Sequence, residues 1–565
     1  MFNRIGILTL AALLGAGVVL TPGAAGQTIW YVDDDAPNDP GPGDPGVSDP
    51  DEDGSPEHPF DAIQEAIYAA ADGEEVLVAD GTYTGYGNRD LDFWGKAITV
   101  RSENGADTCI IDCEAGPDDW HWGFWFHNSE TAAAIVDGLT ITNAYCDPGG
   151  GIFCGGGASP TITNCIIAGN EALWYGGGIQ CGGTTAIVGC SFLGNTAHWG
   201  GGGYFGAEAS VSACTFTGNT AQGAGALICS DDVTIRGCVI SENIAYEGTG
   251  GLSCADSATI SDCVITGNWA DSDHTGGGVS CSGDGLTISR CLIADNWAFE
   301  GAGIYCYGGN PTIVDCVFAV NGAEWGSGIT VRGSAPVVAN CLFIGDASFF
   351  SGTAIAISRG NPIVENCTIT HFRRGVYCYD GSPAITNSVL WRNTLQAILV
   401  GVDGAPVVSY SDVEGGWEGT GNIDVDPLFV DADGPDDDPN TWEDNDYRLL
   451  SDSPCIDAGD NDAVPAWVTT DLDGRLRFAD RIGTLDTGSP GAPGPPIVDM
   501  GPYEYQCTGD LNADGEIDLS DLGALLAHYG TTTGAAYADG DLDQDGDVDL
   551  TDLATLLAAY ATTCE

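Results

Sequence analysis

From residue 137 to residue 411 one short pattern of apolar and polar positions recurs about every 25 residues. A cysteine column runs through Cys165, Cys190, Cys214, Cys238, Cys263, Cys291, Cys316, Cys341 and Cys367, and Ser388 and Ser411 extend it. A second column holds Cys154, Cys181, Gly206, Cys229, Cys254, Cys281, Cys306, Val331, Ile357, Cys378 and Val400. A third holds Asn170, Asn195, Asn219, Asn243, Asn268, Asn296 and Asn321, with Asn393 later. Between columns the apolar residues alternate, as in Gly278-Val279-Ser280-Cys281, and period two means short strands rather than helix. From Ile260 to Cys263 the apolar step is three, so a corner intervenes. The residue before each first-column cysteine is Asn164, Gly189, Gly237, Asp262, Asp315, Asn340, Asn366 or Asn387, types that tolerate left-handed backbone. Ala213 and Arg290 break that rule. Three short strands per repeat, each stacking on its equivalent in the next, predict an all-β parallel β-helix in which each column becomes a ladder. Stacked Asn side chains then bond between coils, and the cysteines fill a narrow interior as buried thiols, with bridging between adjacent coils as the alternative.

Such a solenoid exposes strand edges at its ends and needs caps. Residues 60–70 have helical spacing at Ile63, Ala66, Ile67 and Ala70, and residues 75–79 read as a first strand. The run from Phe60 to Ile67, followed by Val76 to Tyr83, resembles the start of secreted right-handed parallel β-helix proteins, including pectin-degrading families. Residues 412–506 lose the repeat. Their Ser453-Pro454-Cys455-Ile456-Asp457-Ala458-Gly459 and Val498-Asp499-Met500-Gly501-Pro502-Tyr503-Glu504 resemble the closing segment of bacterial surface β-helix proteins, called a choice-of-anchor domain. The expected division is a signal peptide (1–26), an N-terminal cap with first coils (27–136), regular β-helix (137–411), a closing segment (412–506) and a small module (507–565).

The signal reading rests on Arg4, an apolar run from Ile5 to Leu20 and the small residues Gly23-Ala24-Ala25-Gly26. It implies an extracellular or cell-surface protein with no membrane insertion after cleavage. Lys+Arg is 15 against Asp+Glu 82, a formal net charge of −67, which excludes an autonomous nucleic-acid binder. Lys96 is the sole lysine.

The last segment carries two acidic loops. Asp510, Asn512, Asp514, Asp518 and Asp521 supply oxygens at loop positions 1, 3, 5, 9 and 12, with Gly515 at the sharp turn. Asp541, Asp543, Asp545, Asp549 and Asp552 repeat the pattern, and Glu516 and Asp547 stand where a backbone carbonyl is the ligand. Two such loops predict Ca2+, each feeding a short helix (522–529 and 553–560) whose Leu522, Leu525, Leu526, Leu553, Leu556 and Leu557 make an apolar core. The duplication, with Asp at position 12, resembles a type I dockerin, which implies a cohesin-like partner. The chain departs from that family at Leu519-Ser520, Leu550-Thr551, Leu526-Ala527 and Leu557-Ala558, the partner-reading positions. The ends of such a compact module meet, predicting a Cys507–Cys564 disulfide.

Catalytic residues are harder to find. The outward residues on the strand ending at the second column are Gln180, Phe205, Ile228, Ser253, Ser280, Tyr305, Thr330, Ala356, Tyr377 and Leu399, none acidic, whereas glycosidases need opposed carboxylates. Arg332 and Arg359 read as solvated turn residues. Loops after the Asn column carry Trp174-Tyr175, Trp199, Tyr246, Phe299, Trp325 and Phe349-Phe350, an expected ligand-binding edge suited to sugar stacking or protein contact. Two functions follow: a non-catalytic carbohydrate- or protein-binding scaffold, or a polysaccharide lyase or glycoside hydrolase delivered by the dockerin-like module.

Overall fold

The computed structural model describes residues 28–563, apart from 34, 37–49, 207, 231, 256, 272, 324, 347–351, 437, 439–440, 480–484, 513–515 and 544. The expected signal peptide therefore lies outside the described residues, as do Phe349, Phe350, Asp514 and Cys564. The fold is an all-β parallel solenoid of about 13 turns, with three short α-helices among the described residues. It divides into two compact units, one reaching Leu286 and including Asn296–Phe299, the other comprising Thr287–Asp295 and Glu300–Glu565. Among the described residues no helix is long and apolar enough to cross a membrane.

One coil of the first unit shows the plan. Thr161–Thr163 leads to a corner, Ile166–Ala168 follows, Glu171–Ala172 is a third short piece and Ile179–Cys181 closes the turn. Each pairs in parallel with its equivalent one coil away, as in Ile162↔Ile187, Ile167↔Phe192 and Cys154↔Cys181. The piece after the Asn column is a fourth strand that the alternation does not reveal, because two residues carry no period. The Asn ladder fixes it. Asn195 Oδ1 accepts from the backbone N–H of Asn170 (3.0 Å) and from its Nδ2 (3.1 Å), while Asn170 Nδ2 also donates to Ile141 O (3.0 Å). The same bonds repeat from Asn195 through Asn268, all fully buried.

The two cysteine columns differ in physics. In the first, each thiol donates to the carbonyl two residues back: Cys165 to Thr163 O (3.1 Å), Cys263 to Ser261 O (3.1 Å), Cys341 to Ala339 O (3.1 Å). Ser388 and Ser411 make the same bond at 2.9 Å. That column needs a small buried donor, and a hydroxyl satisfies it. The second column accepts Val331 and Ile357, so there the apolar role suffices. Among the described residues twenty cysteines are buried and lie outside any disulfide.

The second column also carries a correction. Phe205, not Gly206, pairs with Cys181 and Cys229, is fully buried, and leaves Tyr204 as the outward residue. The ring fits because Gly203 has no side chain; a Cβ there would meet the Phe205 ring at 3.0 Å. The corners are uniform: Asn164, Asp262 and Asn340 have φ of 52°, 56° and 56°, and Ala213 and Arg290 adopt the same 52°.

At the N-terminal end α1 (Ile63–Ala69) covers the first strands. Asn88 Oδ1 accepts from Ile63 N (2.9 Å), and Lys96 Nζ donates to the carbonyls of Ile67, Tyr68 and Ala70 at 2.8–2.9 Å. The sole lysine thus caps the helix C-terminus. In the second unit the closing segment lies along a flank. Trp442 and Tyr447 pack on Ala319, Leu342 and Ile344, covering outward apolar positions that strand alternation would leave wet. Beside an apolar cluster that includes Leu449, Ile456 and Met500, the segment buries charge: Arg477 and Glu504 are a fully buried ion pair (3.2 Å), and Arg477 Nη2 donates to Gly501 O (2.7 Å). Asp499 accepts from Asp457 N (2.7 Å) and Tyr505 N (2.6 Å), and burial pushes its carboxyl up to about 7.

Candidate functional site

The first unit presents the expected aromatic edge. Asp147 Oδ1 accepts from the backbone N–H groups of Trp174 (3.0 Å) and Tyr175 (3.4 Å), fixing the turn that displays both rings. Trp199 N donates to Trp174 O (2.7 Å), and Tyr175 and Trp199 are bridge partners, so the rings of successive coils fall in register. Trp174, Tyr175, Trp199 and Tyr246 are all exposed. His198 sits edge-on to both Trp174 (5.0 Å between ring centres) and Trp199 (5.1 Å), and Tyr175 meets Tyr204 at 5.1 Å. Phe299 departs from the expectation: it is half-buried, its N–H bonded to His274 O (3.0 Å). Trp325 is exposed and belongs to the second unit.

A glycine ladder beside the edge permits this register. A Cβ on Gly150, Gly177, Gly201, Gly225 or Gly250 would meet a carbonyl oxygen of the adjacent coil at 2.3–2.5 Å. Backbone passes over backbone there, which only glycine allows.

A second aromatic surface was not expected. Trp125 and Phe153 point outward from Phe124–Phe126 and Ile152–Cys154, as register partners. Trp122 stacks on Trp125 (5.4 Å, 13°) and on Phe153 (6.2 Å, 25°), and His127 stacks on Trp125 (3.8 Å, 18°). The signal was in the chain: the same alternation runs two coils further toward the N-terminus than Gln180.

In the second unit the structure joins two residues that the sequence left apart. Arg332 Nη2 donates to Glu300 Oε1, although 32 positions separate them. The pair lines a cavity of about 160 Å³ with Trp325, Thr330 and Tyr379. Thr330 Oγ1 donates to Trp325 O (3.0 Å), and Trp325 packs against Tyr377 (5.3 Å). Arg332 is therefore not a free turn residue. A larger depression of about 490 Å³ lies over the corners of the first unit, lined by Arg101, Asp137 and Asn164. It is broad and open, Arg101 is already paired with Glu75 (2.6 Å) and Asn164 with Asp137 (2.8 Å), so it offers little unspent chemistry.

The two acidic loops feed α2 (Leu519–His528) and α3 (Leu550–Ala559), which begin three residues earlier than expected. Asp518 and Asp549 are their N-caps, accepting from Ser520 N and Thr551 N (2.6 Å each). Asp521 and Asp552 close the capping boxes through the N–H groups of Asp518 and Asp549 (2.8 Å each). The position-12 carboxylates also hold the loop starts: Asp521 accepts from Leu511 N (2.8 Å) and Asp552 from Leu542 N (2.6 Å). Oxygens of Asp541, Asp543 and Asp552 lie within 4.8 Å of one another, as do those of Asp547, Asp549 and Asp552. Burial, reinforced by Asp552, Asp545 and Asp543, pushes Asp541 up to about 6. A crowded hard-oxygen set with glycine at the turn (Gly546, φ 94°) fits a calcium ion. In the first loop Asp510 and Asp521 are buried alike, and the position-5 Asp514 is outside the described residues.

The module core is Leu511, Ile517, Leu525, Tyr537, Leu542, Val548 and Leu556. Leu526 and Leu557, expected inside, are exposed, because α2 and α3 bury only one narrow face each; Leu519 and Leu550 are exposed with them. Cys507 is disulfide-bonded, and its expected partner Cys564 is outside the described residues.

The chain matches a family model described as a right-handed β-helix region, over residues 98–268, 203–357 and 272–415. No curated protein matches it. Among solved structures it is similar to the catalytic unit of a thermostable α-1,3-glucanase from Streptomyces thermodiastaticus (14% identity, TM-score 0.39), covering 64% of this chain and 65% of that one. It is similar also to pectate lyase Pel9A (16% identity, TM-score 0.30; 85% and 98% covered). A third is the A-module of the mannuronan C-5 epimerase AlgE4 from Azotobacter vinelandii (11%, TM-score 0.28; 64% and 93%).

Proposed function

This chain belongs to the right-handed β-helix family, and on that premise we propose that it is a secreted or cell-surface glycan-binding scaffold. The observation that carries the reading is the exposed aromatic edge: Trp174, Tyr175 and Trp199 are held in register by Asp147 and by inter-coil bonds, and Tyr246 is exposed further along. Rigid rings spaced along a solenoid suit stacking against successive sugars of a polymer. The scaffold is non-catalytic, since the outward face beside this edge holds Gln180, Tyr204, Ile228 and Ser253, with no opposed carboxylates. Residues 1–26 act as its signal peptide. Residues 507–565 act as a dockerin-like module in which Ca2+ is held by Asp510, Asn512, Asp514, Asp518 and Asp521 and by Asp541, Asp543, Asp545, Asp549 and Asp552. The exposed leucines Leu519, Leu526, Leu550 and Leu557 occupy matching places on its two helices and supply an apolar face for a cohesin-like protein. The test is a polysaccharide panel assayed for retention of the full-length protein and for new reducing or unsaturated ends. Retention that drops about tenfold in Trp174→Ala with Trp199→Ala supports the reading. Undiminished retention removes the edge from it, and product formation by the wild type would replace the scaffold with an enzyme.

A further inference from the structure

We propose that the cavity beside Glu300 is a subsite for one neutral pyranose, with Trp325 as stacking face and the Glu300–Arg332 pair reading the hydroxyls. The proposal rests on the glycan-binding reading above and adds a site in the second unit. Glu300 is 6% exposed and only half used: Oε1 accepts from Arg332 Nη2, whereas Oε2 is buried with no hydrogen-bond partner. A buried carboxylate oxygen left unpaired costs free energy that a ligand donor recovers. Glu300 and Arg332 line the cavity of about 160 Å³ together with Trp325 and Tyr379, both exposed at its rim. That volume equals about five waters and lies below a drug-sized pocket, so it takes one ring, not a chain.

Charge selects the kind of ring. Arg332 neutralises Glu300 locally, so the site offers one strong acceptor beside guanidinium donors at no net charge. Neighbouring sugar hydroxyls, each donor and acceptor, complement that pair. A uronate does not: its carboxylate would set acceptor against acceptor at Glu300, and the −67 charge of the chain opposes its approach.

The test is saturation-transfer difference NMR of the full-length protein with the methyl glycosides of glucose, galactose and mannose, alongside glucuronate and galacturonate. At least one methyl glycoside is expected to contact the protein and the uronates are not. The contact should weaken about tenfold in Trp325→Ala and in Tyr379→Ala, and several-fold in Glu300→Gln, while persisting in Trp174→Ala. Glu300→Gln preserves shape and an acceptor for Arg332, and Tyr379→Ala changes an exposed wall, so neither need disturb folding. Uronate contact equal to that of the glycosides, or a signal that survives Trp325→Ala, Tyr379→Ala and Glu300→Gln, overturns the subsite. If such a signal disappears in Trp174→Ala instead, the glycan-binding reading stands without this site. No contact with any glycoside also overturns the subsite, and the polymer panel separately decides the wider reading.

Discussion

A single residue in this solenoid acts through what it does once per coil. Ala213 holds φ of 52° at a corner where its equivalents, Arg290 apart, are Gly, Asn or Asp. A Cβ in the left-handed region costs about 1–2 kcal/mol, so Ala213→Gly should stabilise by about 1 kcal/mol after the added unfolded-state entropy, read from the urea midpoint. The neighbouring ladder has the opposite sign. Asn219 Oδ1 accepts from Asn195 N (3.0 Å) and Asn195 Nδ2 (3.0 Å), and Asn219 Nδ2 donates to Phe192 O (3.0 Å), all buried. Asn219→Ala orphans these groups together and should cost about 3 kcal/mol or more by the same measurement, whereas a loss below about 1 would mean that water replaces the amide. At the first cysteine column, Cys214→Ser should be tolerated better than Cys214→Val, because the hydroxyl keeps the bond to Ser212 O that the thiol makes at 3.2 Å. Melting temperatures of the two variants check the order.

At the scale of elements, acidic residues carry two duties in the C-terminal module. Asp518 and Asp549 cap α2 and α3, and Asp521 and Asp552 tie each helix start to its loop. In the second loop Asp552 crowds Asp541 and Asp543, and Asp549 adds to the repulsion on Asp543; a bound cation would cancel that repulsion and favour closure. Chelation of the full-length protein should therefore lower its helical circular dichroism and leave the β signal, and Asp510→Ala with Asp541→Ala should mimic chelation. Helical signal indifferent to chelator would mean that capping alone holds α2 and α3.

For the whole molecule, the governing quantity is charge. Burial raises Glu365 to about 7 and Asp412 to about 7, above the ordinary carboxylate range near 4. With folded values above unfolded ones, the native state binds more protons between these limits. The contribution is fully present below about pH 4 and is lost as pH rises through about 7. Repulsion among 82 acidic side chains acts in the same direction. The urea midpoint should thus rise from pH 8 to pH 5, and Asp412→Asn should flatten part of that slope. A midpoint independent of pH would show these carboxylates to be hydrated.

The sequence by itself determined the coil. Period-two alternation, the column spacing and left-handed-tolerant residues such as Asn164 and Asp262 leave one architecture, because each is a local demand repeated in every turn. The acidic loops and most of the aromatic edge were legible for the same reason. What register decides was not legible. Phe205 enters the column because Gly203 makes room, and a one-residue slip exchanges inside for outside. The donor role of the first cysteine column depends on where the Thr163 carbonyl points, and the sharing of Asp521 between helix and loop on how the module closes. The Glu300–Arg332 pair is the extreme case. Its 32-residue separation is no multiple of the repeat, so only the stacking of coils in three dimensions brings the carboxylate and the guanidinium to one cavity.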